Sequence, residues 1–183
     1  MSRFDTPIGS MLAVADASAL YLLEFTERKN LQKEIDRMAP MVEGKTAPLL
    51  QIQEELASYF AGSLAFFKTP FVAQGSSFQE LVWERLKNIP FGETLSYSEL
   101  ASAIKKPSAR RAVAKANSTN QLALIIPCHR VIHQNGKLGG YAGGVHRKKW
   151  LLEHEQKFKK LFSFCEESKK NSVGSKGNFP LQS

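Results

Sequence analysis

A cysteine followed at once by a histidine, Cys128-His129, is the first place in this 183-residue chain where nucleophilic chemistry could start. The thiolate is the reactive form, and only a few per cent of a free thiol is ionised near neutral pH. Such a cysteine needs a base or a positive surrounding, and His129 and Arg130 follow it directly. Alone, the pair reads more readily as a buried, unreactive thiol. The last helical segment changes the weighing. Along residues 147–158, Leu151, Leu152 and Glu155 fall three or four positions apart and share a face, whereas Glu153 does not. A carboxylate on an apolar face needs a partner. His129 is one candidate, completing a Glu–His–Cys relay. A glutamate that reaches past the apolar stripe to solvent, or pairs with Lys159, is the other.

The elements that must position these groups fall into two parts. Residues 4–6, the turn Pro7-Ile8-Gly9, residues 10–15 and residues 19–25 read as three strands. Residues 30–38 are weakly helical and 40–48 form a loop. Residues 49–60 form a helix carrying Leu49, Ile52, Leu56, Tyr59 and Phe60, ended by Ala61-Gly62. Residues 66–72 are extended, and Gln74-Gly75-Ser76-Ser77 reads as a linker. Beyond it the period is helical. Ser77 caps a helix over 78–89, with Glu80 in the capping-box position and Phe78, Leu81, Val82 and Leu86 on its stripe. A second helix starts at Ser96 or Ser98 and runs to Ile104, and a third, basic one covers 109–117. Together they resemble a helix-turn-helix. Asn135-Gly136 marks a turn, residues 139–144 are glycine-rich, and residues 159–183 read as a basic, disordered tail.

Composition sets outer bounds. A hydrophobic content of 43% and a charged content of 23% exclude a wholly disordered or fibrous chain. The length suits one domain or two small ones. No apolar run approaches the ~18–20 residues of a membrane span, and the first residues lack the pattern of a secretory signal. A net charge of +8 suits a polyanionic partner, nucleic acid or a membrane surface. Two cysteines, Cys128 and Cys165, make no disulfide framework and point to a reducing compartment.

Ile126-Pro127-Cys128-His129-Arg130-Val131 resembles the active-site signature of the O6-alkylguanine-DNA alkyltransferases, the methylated-DNA–protein-cysteine methyltransferases. Phe78-Gln79-x-x-Val82-Trp83, Ile89-Pro90-x-Gly92-x-x-x-x-Tyr97, Ala109-Arg110-Arg111-Ala112-Val113, Asn120, Gly140-Tyr141-Ala142-Gly143-Gly144 and Lys149-Trp150-Leu151-Leu152-x-His154-Glu155 follow in that family's order and spacing. The resemblance covers about residues 76–157, with Thr6-Pro7-Ile8-Gly9 as the marker of a variable N-terminal part. The expected architecture is an α/β N-terminal domain over 1–74, with a short antiparallel sheet of ribonuclease H-like type. A mostly α C-terminal domain follows over 75–158, with a winged-helix-like helix-turn-helix, then the tail 159–183.

The resemblance implies direct reversal of DNA damage. An O6-alkylguanine, with O4-alkylthymine as a further candidate, is flipped out of the duplex, and its alkyl group passes irreversibly to Cys128. No cofactor or metal is implied, because the protein is consumed. By similarity, His129 takes the Cys128 proton through a water, Glu155 orients His129, Tyr97 donates to the base ring and Asn120 orders the turn near the site. Arg111 fills the stack in place of the extruded nucleotide, and Arg110, Ala112, Lys115, Tyr97 and Arg130 complete the expected DNA-binding set. Charge favours phosphate contacts from Arg110, Lys105, Lys106 and Lys115. Gly140, Tyr141, Ala142 and Gly143 are expected to line the base pocket. Read singly, Tyr97 is also a core aromatic, Arg110 and Arg111 a solvated face, and the glycine loop plain turn chemistry. Lys115 stands where the family often has a small residue, and Gln121 and Ala123 where some members carry proline. No Cys or His precedes Cys128, so the N-terminal zinc site of some relatives is not expected. The expected partner is duplex DNA, the expected state a monomer, and the expected compartment the cytoplasm or, in a eukaryote, the nucleus. Rival readings are a damage-recognition module lacking the nucleophile, a helix-turn-helix regulator with a dispensable Cys128, and a zinc site of Cys128, His129, His133 and Cys165. The spacing of the last fits no common zinc pattern.

Overall fold

The computed structural model describes residues 1–38 and 44–172, in side-chain detail as far as residue 160. β1 (Ser2–Phe4), β2 (Met11–Ala15) and β3 (Leu20–Phe25) form an antiparallel sheet in the order β1-β2-β3. The register sets Arg3 against Leu12 and Met11 against Phe25. β2 and β3 are nearly continuous apolar runs because both faces are covered. Met11, Ala13, Leu23 and Phe25 enter the main core, while Leu12, Val14 and Leu22 pack with Leu31 and Ile35 of α1 (Leu31–Ile35). The outer edge of β3 is tied by parallel bridges to Phe71 and to Leu122, just upstream of the Cys128 turn.

α2 (Ala47–Phe60) buries Pro48, Leu49, Ile52, Leu56 and Tyr59. It begins inside the expected loop 40–48, because Pro48 fits the first helical turn, where no N–H partner is required. Residues 39–43 of that loop lie outside the described residues. α3 (Ser77–Lys87) is capped by Ser76 and not by Ser77. The Ser76 hydroxyl accepts from Gln79 N–H, and Gln79 Oε1 accepts from Ser76 N–H at 2.9 Å. The buried stripe also differs from the expected one: Leu81 is 42% exposed, and Trp83 goes inward, its indole N–H donating to the Ala116 carbonyl at 2.9 Å.

β4 (Leu95–Ser96) leads into α4 (Tyr97–Ala103), which Ser96 caps together with Glu99. A 3-10 turn, Pro107–Ala109, leads into α5 (Arg110–Ser118), and α4, α5 and α3 pack against one another. β5 (Val131–Ile132) pairs in parallel with β4. α6 (Val145–Ser172) starts earlier than expected and runs past Phe158, so residues 159–172 of the expected disordered tail are helical. The rest of the tail, and the side chain of Cys165, lie outside the described detail. One apolar core runs from Met11 to Leu151 across the Gln74–Ser77 linker. Among the described residues no helix is long and apolar enough to cross a membrane.

Candidate active site around Cys128

The turn that presents Cys128 is built on Asn120. Its Oδ1 accepts from Leu122 N–H at 3.0 Å, and its Nδ2 donates to the Ile126 carbonyl at 2.8 Å. These bonds clamp a segment in which buried Leu124 has φ of 70°, a region that leucine rarely adopts. The same Nδ2 lies 3.2 Å from Cys128 Sγ. Cys128 opens a 3-10 turn, Cys128–Arg130, and is 4% exposed. Burial pushes its thiol up to about 11, while the Asn120 donor pulls the other way. The resting group is therefore a thiol, and a thiolate must be made during reaction.

His129 and Glu155 do meet. His129 Nε2 is 2.9 Å from Glu155 Oε1, both side chains fully buried. Because the acceptor is a carboxylate, Nε2 carries the proton. His129 Nδ1 is then the unprotonated nitrogen, and it is buried without a protein hydrogen-bond partner. Burial lowers the basicity of His129, with the Glu155 charge opposing, so the resting imidazole is neutral. Glu155 is not a surface glutamate. It accepts from Tyr59 Oη at 2.9 Å, from Gly92 N–H at 3.0 Å, and from Arg130 Nε and Nη2 at 2.8 and 2.9 Å. Burial alone raises a carboxyl's pKa, yet His129 and Arg130 outweigh it and hold Glu155 well below the usual range. Lys159 pairs with Glu93 instead.

Beside this array lies an open cleft of about 1290 Å³. Its walls include Tyr97, Arg110, Arg111, Ala112, Gly140, Tyr141 and Ala142, from three separate stretches of sequence that converge here. Burial keeps the Tyr97 and Tyr141 hydroxyls protonated, as donors, and the Tyr141 hydroxyl has no protein partner. Gly143 is not on the wall: it is buried, and a Cβ there would sit 2.6 Å from the Phe25 ring. Lys115, Lys105 and Lys106 are exposed but do not line the cleft. Arg130 does not belong to a DNA surface. It is buried, with Nη1 donating to the Ile89 carbonyl at 2.6 Å and the rest of the guanidinium committed to Glu155.

Four supporting residues escaped the sequence reading. Asn117, on the cleft wall, donates to the Cys128 carbonyl at 3.3 Å. Lys148 is buried, its ammonium donating to the Val131 carbonyl at 2.5 Å, and burial brings it down to about 8. Arg147 binds the Ile8 carbonyl, the Gly143 carbonyl and Glu27, so it joins the Thr6–Gly9 turn to the glycine loop. Gly9, at φ of 117°, leaves that guanidinium room: a Cβ would lie 2.6 Å from it. Tyr59 is the fourth. The only signal for Asn117 was its place about one helical turn after Val113 on the inner face of α5; the other three act across distant segments.

Residues 77–157 match the family model described as the DNA binding domain of 6-O-methylguanine DNA methyltransferase. The methylated-DNA–protein-cysteine methyltransferase of Methanosarcina acetivorans is 42% identical over 152 residues, covering 83% of this chain and 95% of the relative. The Salmonella typhimurium protein of the same name is 39% identical over 159 residues, covering 84% and 93%. The Mycobacterium tuberculosis O6-methylguanine methyltransferase superposes with a TM-score of 0.75 at 39% identity, covering 85% of this chain and 91% of that one. The same organism's OGT in complex with DNA gives 0.76 at 38% identity, covering 85% and 92%.

Proposed function

The chain belongs to the methylated-DNA–protein-cysteine methyltransferase family, and from that premise we propose how its own residues carry the transfer. The protein repairs DNA by moving an alkyl group from O6-alkylguanine onto its own cysteine in a single turnover. Cys128 is the acceptor. What supports this most directly is the buried Cys128-His129 pair, with Glu155 fixing the imidazole so that Nδ1 is left as the base. The thiol proton passes to Nδ1 through a water. Sγ attacks the alkyl carbon, the C–O6 bond breaks, and its electron pair goes to the purine. Tyr97, kept protonated, donates to the base as that charge develops, and the proton lost by Cys128 ends on guanine. The products are a thioether at Cys128 and unmodified guanine, so no cofactor enters the balance.

The cleft receives the flipped base, since the alkylated oxygen is out of reach inside the stack. Tyr141, Ala142 and Gly140 line it and Arg111 takes the place of the extruded nucleotide. Arg110, Lys105, Lys106 and Lys115 face the phosphates. Residues 1–74 act as a scaffold of ribonuclease H-like type. Residues 75–158 act as the transfer unit, α4 and α5 reading DNA as a winged-helix-like helix-turn-helix. The lesion is O6-alkylguanine in duplex DNA, the acting species a monomer, and the compartment the cytoplasm, in keeping with archaeal and bacterial relatives. The test is intact-protein mass spectrometry, with peptide mapping, after mixing with a duplex that contains O6-methylguanine. One methyl on Cys128 per molecule is expected. A duplex held tightly with no mass gain would turn the reading to a recognition module.

A further inference from the structure

Glu155 is reached from outside the transfer unit. Tyr59 of α2 is buried, and its hydroxyl donates to Glu155 Oε1, the oxygen that also accepts from His129 Nε2. The tyrosine has little freedom to do otherwise. Its carbonyl accepts from His154 Nε2 at 2.8 Å, and its ring packs edge-on against Phe60 and Phe91 and tilted against Phe67. We propose that Tyr59 is a positioning residue of the transfer site: its hydroxyl fixes Glu155 Oε1 against His129 and sets the basicity of that imidazole from the N-terminal part of the chain. The inference rests on the relay reading above.

The physical argument concerns how much charge Oε1 presents to the ring. Burial, reinforced by the nearby Glu155 charge, keeps the Tyr59 hydroxyl protonated far into the alkaline range, so it only donates. Each donor on Oε1 draws charge from it, and a less charged oxygen stabilises imidazolium less. The other charged groups facing His129 are Glu155 and Lys148 of α6 and Arg130 beside it, with the Cys128 thiol adjacent in the chain. Glu155 favours the protonated ring, while Arg130 and Lys148 oppose it. Tyr59 acts on the one favourable partner. Tyr59→Phe keeps the ring and its packing and removes one donor. Oε1 then carries more charge, His129 holds a proton more firmly, and the base becomes available only at higher pH.

The experiment uses the full chain and two readouts. One is the pH titration of the His129 imidazole by NMR in the DNA-free protein. The other is the rate of methyl transfer from an O6-methylguanine duplex against pH, followed by intact mass. For Tyr59→Phe both inflections are expected to move up by about half a pH unit, with duplex affinity unchanged. A ring-fluorinated tyrosine at position 59, a stronger donor of the same shape, is expected to move both down. It also serves if the phenylalanine variant does not fold. Unmoved inflections, or a rate lowered equally at every pH, would overturn the proposal, because a purely structural tyrosine gives that result. If the wild type transfers no methyl yet His129 titrates as expected in the variants, the relay reading fails and the coupling stands. If transfer occurs but His129 does not move, only the coupling fails.

Discussion

Arg130 meets Glu155 side-on, Nε on one oxygen and Nη2 on the other, while Nη1 is spent on the Ile89 carbonyl. A planar fork makes that pattern and a point-like ammonium cannot. Arg130→Lys should therefore destabilise the fold by about 2–4 kcal/mol in urea denaturation, because one buried carboxylate loses paired donors. The salt dependence of duplex binding should stay the same. A smaller salt slope with unchanged stability would put Arg130 back on the DNA surface. The signature around Cys128 carries an arginine but says nothing of which way it faces, and its charge beside a thiol reads naturally as a DNA contact. Glu155 was legible because helical spacing placed it on the Leu151 face. That its oxygens collect donors from α2, from the Gly92 turn and from the Cys128 turn was not, since those segments meet only in the folded chain.

α5 turns Val113 and Ala116 into the core and Arg110, Arg111 and Ala112 to the cleft, with buried Asn117 at the boundary between the two. The two arginines should then behave differently. Arg110→Ala should reduce the slope of log affinity against log salt by about 0.9, the value of one phosphate contact. Arg111→Ala should slow repair of a lesion in a duplex about tenfold or more, and slow transfer from the free alkylated base far less. Equal losses on both substrates, measured by mass gain, would remove Arg111 from the stack-filling role. At this scale the long, periodic elements were legible: α2, α3, α4 and α5 stand within a few residues of their expected bounds. The misses have local causes. Ser76 and Ser77 are both good caps, and the reciprocal bond with Gln79 selects the first. The β4–β5 pair is two residues long on each side, too short for any alternation to show. The Thr6–Gly9 turn was legible as a turn, but its use as a seat for Arg147 depends on a contact made from α6.

Over the whole molecule, buried charge decides how stability follows pH, and two carboxylates act in opposite senses. Glu155 is held below the ordinary range, so its contribution is present above pH 4.5 and fades as pH falls toward its folded pKa. Glu24 is the reverse. It lies on β3 at 2% exposure, 3.4 Å from buried Arg28, whose guanidinium is already engaged by Glu34. Burial pushes Glu24 up from 4.5 to about 8, with the Arg28 charge only partly opposing. Its folded form binds a proton more tightly than the unfolded chain does. The stability it lends is therefore complete below pH 4.5 and is lost as pH rises to about 8. Glu24→Gln keeps the shape and removes the titration. Relative to wild type, the variant should be progressively more stable in urea denaturation from pH 5 to pH 9. Lys148 also titrates above neutrality, but it does so in both proteins and cancels in the difference; Cys128, which the Glu24 charge helps to push up to about 11, titrates above the range compared. A difference that stays flat across that range would mean that Glu24 remains ionised, held by Arg28 as a true ion pair. The sheet beside the Cys128 turn would then carry a buried charge at neutral pH and not a neutral acid.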